Sequence, residues 1–430
     1  MIGWGPLGGT CVNVGCVPSK YLIEAASAYR NAKEPVFPGL TAMASLSFPW
    51  LMESLKDIVK SERKSKYEEV LKKYENIEYY SGNASFIDSN RVTVQNGDKR
   101  EEVSAFNFLV ATGSRPAAPR IIGLEDSGYM TSNEIWNIKD LPARMTVLGA
   151  GAVGSELAQA FHSLGSDVTL VEAMPSVLYG FEPEISKAIL DVFEGDGMEV
   201  YLNAFAVKAE KGALYVKTGN EQKKLEHDLL LVATGRVPNV NGLGLENAGV
   251  QYTEKGIKVD RTLRTTNPRI YAAGDVVDQK LKLETVAAKE GATVAENLYE
   301  NADKGIDFNA VPFAVFTQPQ VASVGLKESE CPGCSSRVLP LESVPKARII
   351  RKEEGLVKLV IDENGRVLGV HAVSPFASEI IMEGVYAVKH KLSIDDIIDT
   401  SHVFPTISES IKLAAQSFRR DVSMMSCCVE

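Results

Sequence analysis

Apolar residues recur along the chain at two spacings, which together predict a protein that mixes helices and strands. Apolar positions at helical spacing predict one helix over residues 21–32 and a longer one over residues 50–75. The longer helix is rich in Lys and Glu, so we expect it to have a solvated face. A short apolar run that ends in glycine, at residues 108–113, predicts a buried strand followed by a turn.

The middle of the chain has the order strand, glycine loop, helix, strand. Residues 145–148 and 167–171 are the two strands, and residues 155–164 are the helix between them. This order is typical of a β-α-β unit in a parallel sheet. The unit closes with LLLVATG at residues 229–235, which repeats the pattern of FLVATG at residues 108–113. The repeat predicts an α/β fold class with two related nucleotide-binding folds.

The last third of the chain has a different pattern. A helical pattern reaches about residue 299, a strand-rich stretch starts at residue 311, and a helix is expected over residues 411–418. This order of elements predicts a separate C-terminal domain.

Composition excludes several classes of protein. The chain has 430 residues, of which 45% are hydrophobic and 24% charged, as in a soluble multidomain protein. Its 46 Lys and Arg against 56 Asp and Glu give a net charge of −10, which repels nucleic acids and anionic lipids. No apolar run reaches the roughly 18 residues of a membrane span, and residues 1–17 lack the basic segment of a signal peptide. We therefore predict a cytoplasmic protein that binds neither nucleic acid nor membrane.

A glycine motif in the β-α-β unit predicts a dinucleotide site. Gly149, Gly151 and Gly154 follow a strand and open a helix, and Glu172 ends the next strand. The glycines allow a tight turn and close approach to a pyrophosphate, which the helix N-terminus attracts. The Glu172 carboxylate would accept hydrogen bonds from a ribose and repel a 2′-phosphate. No basic residue follows it before Lys187, so we expect NADH to be favoured over NADPH.

The same glycine spacing occurs near the N-terminus, in GWGPLG at residues 3–8. The sequence predicts neither a strand before this match nor a helix within it. We interpret it as a chance match, since the spacing alone is weak evidence.

The six cysteines fall into three close pairs, which in a cytoplasmic protein favours redox or metal chemistry over structural disulfides. The pairs are Cys11/Cys16, Cys331/Cys334 and Cys427/Cys428. We interpret Cys331 and Cys334 as an incidental pair, able to form a disulfide or bind a metal opportunistically, because no second ligand pair accompanies them.

Cys11 and Cys16 are the strongest local signal. Two thiols at this spacing at the start of a helix can approach within disulfide range if the first turn is distorted, and the helix N-terminus would lower the pKa of a thiolate there. We therefore predict a reactive dithiol. The alternative is a pair of small buried hydrophobic residues that pack inertly.

Six motifs in this order resemble those of the pyridine-nucleotide disulfide oxidoreductases. They are GGTCVNVGCVPSK at 8–20, ATG at 111–113, GAGAVGSE at 149–156, ATGRVPN at 233–239, AAGD at 272–275 and VFTQPQVASVG at 315–325. The resemblance implies two Rossmann-like FAD/NAD(P)-binding domains and a C-terminal α+β dimerisation domain in a homodimer. The implied boundaries are an FAD-binding domain at 1–142, an NAD(P)-binding domain at 143–263, a return to the FAD-binding domain at 264–307 and a dimerisation domain at 308–430.

The resemblance also implies roles for single residues. Cys16 would be the thiolate that contacts the flavin, and Cys11 the thiol that exchanges with substrate. Lys20 and Glu156 match an ion pair beside the flavin, and Asp275 matches the acid that binds its ribityl chain. The residues implied to contact FAD are Gly9, Thr10, Lys20, Ala84, Thr112, Gly113 and Asp275.

The C-terminal region resembles that of the mercury(II)-reducing members of this family. Adjacent Cys427 and Cys428 can together hold a soft ion such as Hg(II). Disulfide-reducing members have a His-Pro-Thr segment whose His is the acid-base group, but this chain has Phe404 there. Tyr67 matches the tyrosine that such proteins place beside bound metal, whereas a second tyrosine is replaced by Phe404.

The implied reaction is the reduction of Hg(II) to Hg(0) by NADH or NADPH through FAD. Hg(II), delivered with small thiol ligands, would pass from Cys427 and Cys428 of a partner subunit to Cys11 and Cys16. Thiolate exchange allows this transfer without leaving the ion uncoordinated. A dihydrolipoamide dehydrogenase-like disulfide reductase is the alternative with the same fold.

The sequence departs from the family at its N-terminus. We expect the family's first β-α-β unit, with its FAD pyrophosphate loop, to be absent, because Cys11 lies so near the start of the chain. A third possibility is therefore a thiol protein that binds metal without FAD and without turnover.

Overall fold

The structure is a computed structural model that describes residues 1–300 and 302–425. Its strands are β1 (Ile2–Gly3), β2 (Tyr80–Ser81), β3 (Asn83–Phe86), β4 (Arg91–Asn96), β5 (Lys99–Ser104), β6 (Phe108–Val110), β7 (Ser114–Pro116), β8 (Arg144–Leu148), β9 (Asp167–Val171), β10 (Glu199–Tyr201), β11 (Ala204–Glu210), β12 (Ala213–Thr218), β13 (Glu221–Glu226), β14 (Leu229–Val232), β15 (Arg236–Pro238), β16 (Tyr252–Thr253), β17 (Gly256–Ile257), β18 (Ile270–Ala272), β19 (Phe313–Val315), β20 (Gln320–Gly325), β21 (Ser335–Pro340), β22 (Leu356–Ile361) and β23 (Val367–Ser374).

The α-helices are α1 (Gly9–Val14), α2 (Cys16–Lys33), α3 (Phe48–Arg63), α4 (Glu69–Leu71), α5 (Ala152–Leu164), α6 (Pro183–Gly195), α7 (Glu284–Tyr299), α8 (Pro345–Ile349), α9 (Ala377–His390), α10 (Ile394–Asp399) and α11 (Glu409–Gln416). A π-helical turn, Lys64–Glu68, joins α3 to α4. Among the helices of the described residues, none has the length and apolar character that a bilayer crossing requires.

The chain divides into two compact units. The first consists of Met1–Pro18, Lys56–Ala117 and Gly235–Phe308, and the second of Ser19–Leu55, Ala118–Thr234 and Asn309–Glu430. Each unit is built from segments that are distant in sequence, so each core forms only when those segments come together.

The first unit contains small sheets that combine its separate segments. Strand β6 pairs in parallel with β18, and β7 pairs antiparallel with β15. Strands β3, β4 and β5 form an antiparallel sheet. A core that includes Phe86, Val110, Ile257 and Ile270 joins these elements, and each of these side chains is less than a tenth exposed.

The N-terminal segment is part of the first unit. Strand β1 pairs in parallel with β2, with Ile2 opposite Tyr80, and α1 begins at Gly9. The expectation that no strand precedes the glycine match at residues 3–8 is therefore wrong. The sequence shows only two strand residues there, and their pairing partner lies far along the chain.

The predicted β-α-β unit is confirmed in the second unit. Strands β10, β9, β8 and β14 form a four-stranded parallel sheet in that order, and α5 follows β8. Strands β8, β9 and β14 read as buried apolar runs because helices cover a parallel sheet. This arrangement places the glycine loop at the carboxyl end of β8, where α/β sheets bind their ligands.

The C-terminal part of the second unit is a five-stranded antiparallel sheet in the order β19, β20, β23, β22, β21. Helix α9 and helix α11 pack on it through apolar residues such as Ile381 and Ile411. The expected helix over residues 411–418 is α11, and the expected strand-rich stretch begins with β19 at Phe313. The prediction of a helix over residues 50–75 is confirmed in part, because the π-helical turn interrupts it.

Candidate active site

Cys11 and Cys16 lie at a break between two helices. Cys11 belongs to α1 and Cys16 is the first residue of α2, with Gly15 between the helices. A Cβ on Gly15 would lie 2.9 Å from the carbonyl oxygen of Thr10, so glycine permits the close approach. Neither Cys11 nor Cys16 is in a disulfide, and the ligand atoms of Cys11, Cys16 and Glu284 all lie within 4.8 Å of one another. The two thiols therefore lie near each other, as their spacing predicts, and their reactivity stays a prediction.

The surroundings of Cys11 raise the pKa of its thiol. The largest cause is the hydrogen bond with the Cys16 side chain, and burial and the negative charges of Cys16 and Glu284 act in the same direction. The expectation that a helix N-terminus lowers the pKa of this thiol is therefore wrong for Cys11. A helix of six residues cannot offset burial and two neighbouring negative groups.

Tyr67 lies beside the dithiol. It belongs to the π-helical turn Lys64–Glu68, and such turns occur frequently at functional sites. A Cβ on Gly8 would lie 3.1 Å from the Tyr67 ring, so the ring packs directly on this glycine. Burial raises the pKa of Tyr67, and the charges of the dithiol and Glu284 raise it further. The phenol therefore lies within the electrostatic field of the two cysteines.

Hydrogen bonds connect α1, which contains Cys11, to the helical segment that contains Tyr67. The Asn13 amide donates hydrogen bonds to the carbonyl oxygens of Leu7 at 2.9 Å and Gly9 at 2.8 Å. Its carbonyl oxygen accepts a hydrogen bond from the Arg63 guanidinium at 3.2 Å, and Arg63 also pairs with Glu68 at 3.1 Å. These bonds link α1 to the π-helical turn and fix the position of Cys11.

Asp275 lies in a polar network of the first unit. Its Oδ2 accepts a hydrogen bond from the Ser114 hydroxyl at 2.5 Å, and Arg236 Nε donates to the same hydroxyl oxygen at 2.7 Å. Burial lowers the pKa of Arg236, and the Asp275 carboxylate, 3.8 Å away, opposes this effect. Ser114 and Arg236 thus hold Asp275 in one orientation.

Other residues expected at a flavin also lie in the first unit. Thr112 donates a hydrogen bond to the Asn239 carbonyl oxygen at 2.9 Å and accepts one from the Asn239 amide at 2.9 Å. Gly9 and Gly113 have φ of 63° and 67°, and a Cβ on either would meet nothing within 4 Å. Thr10 is exposed and Ala84 is half-buried in β3.

The second unit contains the ion pair of Lys20 and Glu156. Lys20 Nζ lies 2.8 Å from Glu156 Oε2, and the Phe316 backbone N–H donates to Glu156 Oε1 at 2.9 Å. Lys20 also lies over the Phe316 ring at 4.5 Å from its centre. Glu156 is 5% exposed, so both carboxylate oxygens are satisfied in a buried position.

The glycine loop of the second unit has the geometry that its motif predicts. A Cβ on Gly154 would lie 1.8 Å from the Gly149 carbonyl oxygen, so only glycine lets α5 meet β8. A Cβ on Gly151 would meet nothing within 4 Å, which leaves the loop open on that side. Glu172 accepts hydrogen bonds from the backbone N–H of Ala150 at 2.7 Å and of Met174 at 2.9 Å. The predicted acid therefore reaches back to the glycine loop.

The structure describes one of the two remaining cysteine pairs. Cys331 and Cys334 form a disulfide, one of the two outcomes expected for this pair, with Cα atoms 5.6 Å apart. Cys427 and Cys428, predicted as metal ligands, lie outside the described residues. Phe404 is 47% exposed, and burial raises the pKa of Glu409 in the same segment.

Comparison with known proteins identifies the family. The model of the pyridine nucleotide-disulphide oxidoreductases matches residues 1–291, and that of their dimerisation domain matches residues 311–415. The chain belongs to the pyridine nucleotide-disulphide oxidoreductase family. Membership implies flavin and nicotinamide as cofactors and gives the chain a C-terminal dimerisation domain.

Within this family the chain groups with proteins named mercuric reductases. It is 38% identical to the one from Lysinibacillus sphaericus over 100% of this chain and 79% of that protein. It is 40% identical to the one from Streptomyces lividans over 100% of this chain and 92% of that protein.

Solved structures of other proteins are also similar to this chain. The Cu(II) complex of the HOCl-induced flavoprotein disulfide reductase RclA from Escherichia coli has a TM-score of 0.86 at 26% identity, covering 97% of this chain and 92% of that one. LpdA from Mycobacterium tuberculosis has a TM-score of 0.84 at 28% identity, covering 97% and 93%.

Sequence reasoning missed several residues that shape these sites. Glu284 was not predicted near the dithiol, and its only local signal is an acid in the first turn of a predicted helix. Ser114 and Arg236 adjoin the two repeated ATG motifs, so their position beside motif residues was a usable signal. Asn13 lies inside the cysteine motif itself, but its bond to Arg63 depends on the tertiary fold.

Proposed function

We propose that this protein is a mercuric reductase that reduces Hg(II) to Hg(0) with NADH as the electron donor, and that Cys11 and Cys16 bind the metal. The overall reaction is NADH + Hg²⁺ → NAD⁺ + H⁺ + Hg⁰. The main support is the pair of cysteines whose sulfur atoms lie within 4.8 Å of each other, in a chain that aligns along its whole length with mercuric reductases. Thiolates are the preferred ligands of a soft ion such as Hg(II).

The residues of the first unit fit a flavin. Gly9 and Gly113 leave open space where side chains would otherwise stand, and the Asp275 carboxylate is fixed by Ser114. When bound, FAD would supply the two-electron relay between the nicotinamide and the dithiol. Asp275 would hold the ribityl chain, and Thr10, Ala84 and Thr112 would contact the rest of the cofactor. From the family resemblance we also assign a role in flavin chemistry to the Lys20–Glu156 ion pair.

The nicotinamide site is the glycine loop of the second unit. Gly149, Gly151 and Gly154 would let the backbone approach the pyrophosphate, and Glu172 would accept hydrogen bonds from a ribose. Because a carboxylate repels a 2′-phosphate, NADH should be the better donor. Measuring kcat/KM with NADH and NADPH tests this assignment, which a clear preference for NADPH would contradict.

Metal delivery would proceed by thiolate exchange. Cys427 and Cys428 of a partner subunit would capture Hg(II) from small thiol ligands and pass it to Cys11 and then Cys16. Stepwise exchange keeps the ion coordinated throughout. Tyr67, whose ring lies beside the dithiol, would line the path that the metal takes.

This mechanism requires a homodimer, which the dimerisation domain supports. We assign FAD binding to residues 1–142 and 264–307, nicotinamide binding to 143–263 and dimerisation to 308–430. We place the enzyme in the cytoplasm, where NADH and reduced thiols are available.

The test is anaerobic NADH oxidation with HgCl₂ and excess thiol, with volatile Hg(0) trapped and quantified. Wild-type enzyme should produce one Hg(0) per NADH, and C11A and C16A should each lose the activity. The matched control is the double variant C331A/C334A, which removes two cysteines far along the chain and should keep turnover. Activity that survives in C16A would refute the assigned metal site.

Lipoamide turnover is measured in parallel. Phe404 cannot serve as the acid-base group that disulfide exchange uses, so we expect little lipoamide reduction. Robust lipoamide reduction without Hg(0) production would favour the disulfide reductase instead. A flavin-free protein that binds mercury without turnover would support the third possibility.

A further inference from the structure

The Glu284 carboxylate lies near the dithiol. Cys11, Cys16 and Glu284 each offer one ligand atom, and these atoms are all within 4.8 Å of one another. The two thiols come from the N-terminal segment, and the carboxylate comes from the first residue of α7. Across residues 1–300 and 302–425, no other group of three His, Cys, Asp or Glu side chains is gathered so closely.

Glu284 is available to a ligand. It is exposed, as is Cys16, while Cys11 is half-buried. A favourable interaction with the N-terminus of α7 would by itself account for an acid at this position, so the test must separate that role from metal binding.

The three groups together suit a particular class of cation. Two thiolates and a carboxylate concentrate negative charge, and a bound divalent cation would relieve their mutual repulsion. Mixed sulfur and oxygen ligands are typical of Zn²⁺, which binds Cys, His and carboxylates in tetrahedral sites. Hg²⁺ is softer and its bonds to the two thiolates dominate its binding, so it should depend little on the carboxylate.

We propose that Cys11, Cys16 and Glu284 form a three-donor site for divalent cations of intermediate softness, such as Zn²⁺ and Cd²⁺, with the Glu284 carboxylate as third ligand. The inference rests on the proposed function only in using the same reduced dithiol. Such cations would occupy the dithiol without being reduced and would compete with Hg²⁺. Glu284 then determines how strongly the enzyme is inhibited by other metals.

The experiment is an anaerobic Cd²⁺ titration of the full-length flavoenzyme after reduction with NADH. Sulfur-to-cadmium absorption in the ultraviolet reports binding without turnover. All proteins carry C427A/C428A, which removes the other thiol pair able to bind metal. Compared with this parent, E284Q should weaken Cd²⁺ binding at least about tenfold, as loss of ligand-shell groups typically does. Hg²⁺ binding, measured by competition with a small dithiol, should change far less.

The matched control is E300Q. Glu300 is exposed at the other end of α7, so this variant removes the same charge from the same helix. Its Cd²⁺ affinity should stay within about twofold of the parent, since its distance from the dithiol exceeds ligand range. If E284Q binds Cd²⁺ as tightly as E300Q, the carboxylate is not a ligand and the proposal is overturned.

A second variant keeps the test independent of the stability of E284Q. E284C places a third sulfur at the site, so absorption per bound Cd²⁺ should rise as the sulfur count goes from two to three. If the absorption per bound Cd²⁺ in E284C equals that of the parent, residue 284 does not reach the metal and the proposed three-donor site is wrong. Failure of Hg(0) production in the wild type would instead refute the proposed function and would leave the cadmium result to stand alone.

Discussion

Replacing Gly15 by alanine should alter the redox properties of the dithiol. Gly15 separates α1 from α2, and an added Cβ would lie 2.9 Å from the Thr10 carbonyl oxygen and 3.2 Å from the Cys11 Cα. Ordinary contact begins at 3.4 Å, and both neighbours are backbone atoms that cannot rotate away. The two helix ends must therefore separate, which moves Cys16 away from Cys11.

The magnitude follows from the cost of overpacking. Forcing a methyl group into a filled space costs about 1–3 kcal/mol. A disulfide needs its sulfur atoms about 2.05 Å apart, whereas a metal between two thiolates spans a longer distance, so the strain should fall mainly on the oxidised form. Since about 30 mV corresponds to 1.4 kcal/mol for this two-electron couple, the reduction potential should become roughly 20–60 mV more positive.

The assay equilibrates the enzyme in glutathione buffers of known ratio, quenches by alkylation and weighs the peptide that contains both cysteines. Gly291→Ala is the matched control, because a Cβ at Gly291 in α7 would meet nothing within 4 Å. Its potential should equal that of the wild type. A G15A potential that is unchanged or more negative would refute the reasoning that Gly15 sets the distance between the sulfurs.

Three further predictions concern the second unit. Gly154→Ala should raise the KM for NADH at least about tenfold, measured by steady-state kinetics. The added Cβ would overlap the Gly149 carbonyl oxygen at 1.8 Å, and about 1.4 kcal/mol of strain corresponds to a tenfold loss of NADH affinity. Glu156→Gln should lower stability by about 1–3 kcal/mol in thermal unfolding, less than for a fully buried pair because its lysine partner is one-third exposed. Glu383→Gln should destabilise the protein most at low pH. The hydrogen bond from His402 to Glu383, 2.8 Å long, raises the pKa of His402 above 6.5, so its stabilisation is complete below pH 6.5 and is lost as the pH rises through the folded pKa. The difference in melting temperature between wild type and E383Q should therefore shrink as the pH rises, and a constant difference would contradict this assignment.

Features that depend on neighbouring residues could be predicted from the sequence. The loop from Gly149 to Gly154 follows from its spacing and from the strand and helix on either side, and the structure has both elements. The dithiol also follows from local spacing, because only Gly15 separates α1, which contains Cys11, from α2, which begins at Cys16. The pairing of Lys20 with Glu156 came from the family resemblance, since nothing in their spacing connects them.

Features that depend on distant segments could not be predicted. Strand β1 exists because Ile2 meets Tyr80, and two residues carry no detectable period. The π-helical turn that contains Tyr67 has no Pro or Gly to mark it. Glu284 is an ordinary acid at the start of a helix, and only the tertiary fold brings it to the cysteines. Its effect on the pKa of Cys11 was missed for the same reason.

The electrostatics of the dithiol bear on the choice between the two enzyme functions. Reduction of a disulfide substrate needs a thiolate nucleophile, which a neighbouring cation or imidazole stabilises in most such sites. Around Cys11 the principal influences are the Cys16 hydrogen bond, burial and the negative charges of Cys16 and Glu284, all of which raise its pKa. A bound metal cation has the opposite effect on the pKa of Cys11, because a thiol that coordinates a metal ion loses its proton. These surroundings therefore disfavour a thiolate on Cys11 in the absence of metal. A bound cation would offset them, so we expect the Cys11 thiol to lose its proton as Hg(II) binds.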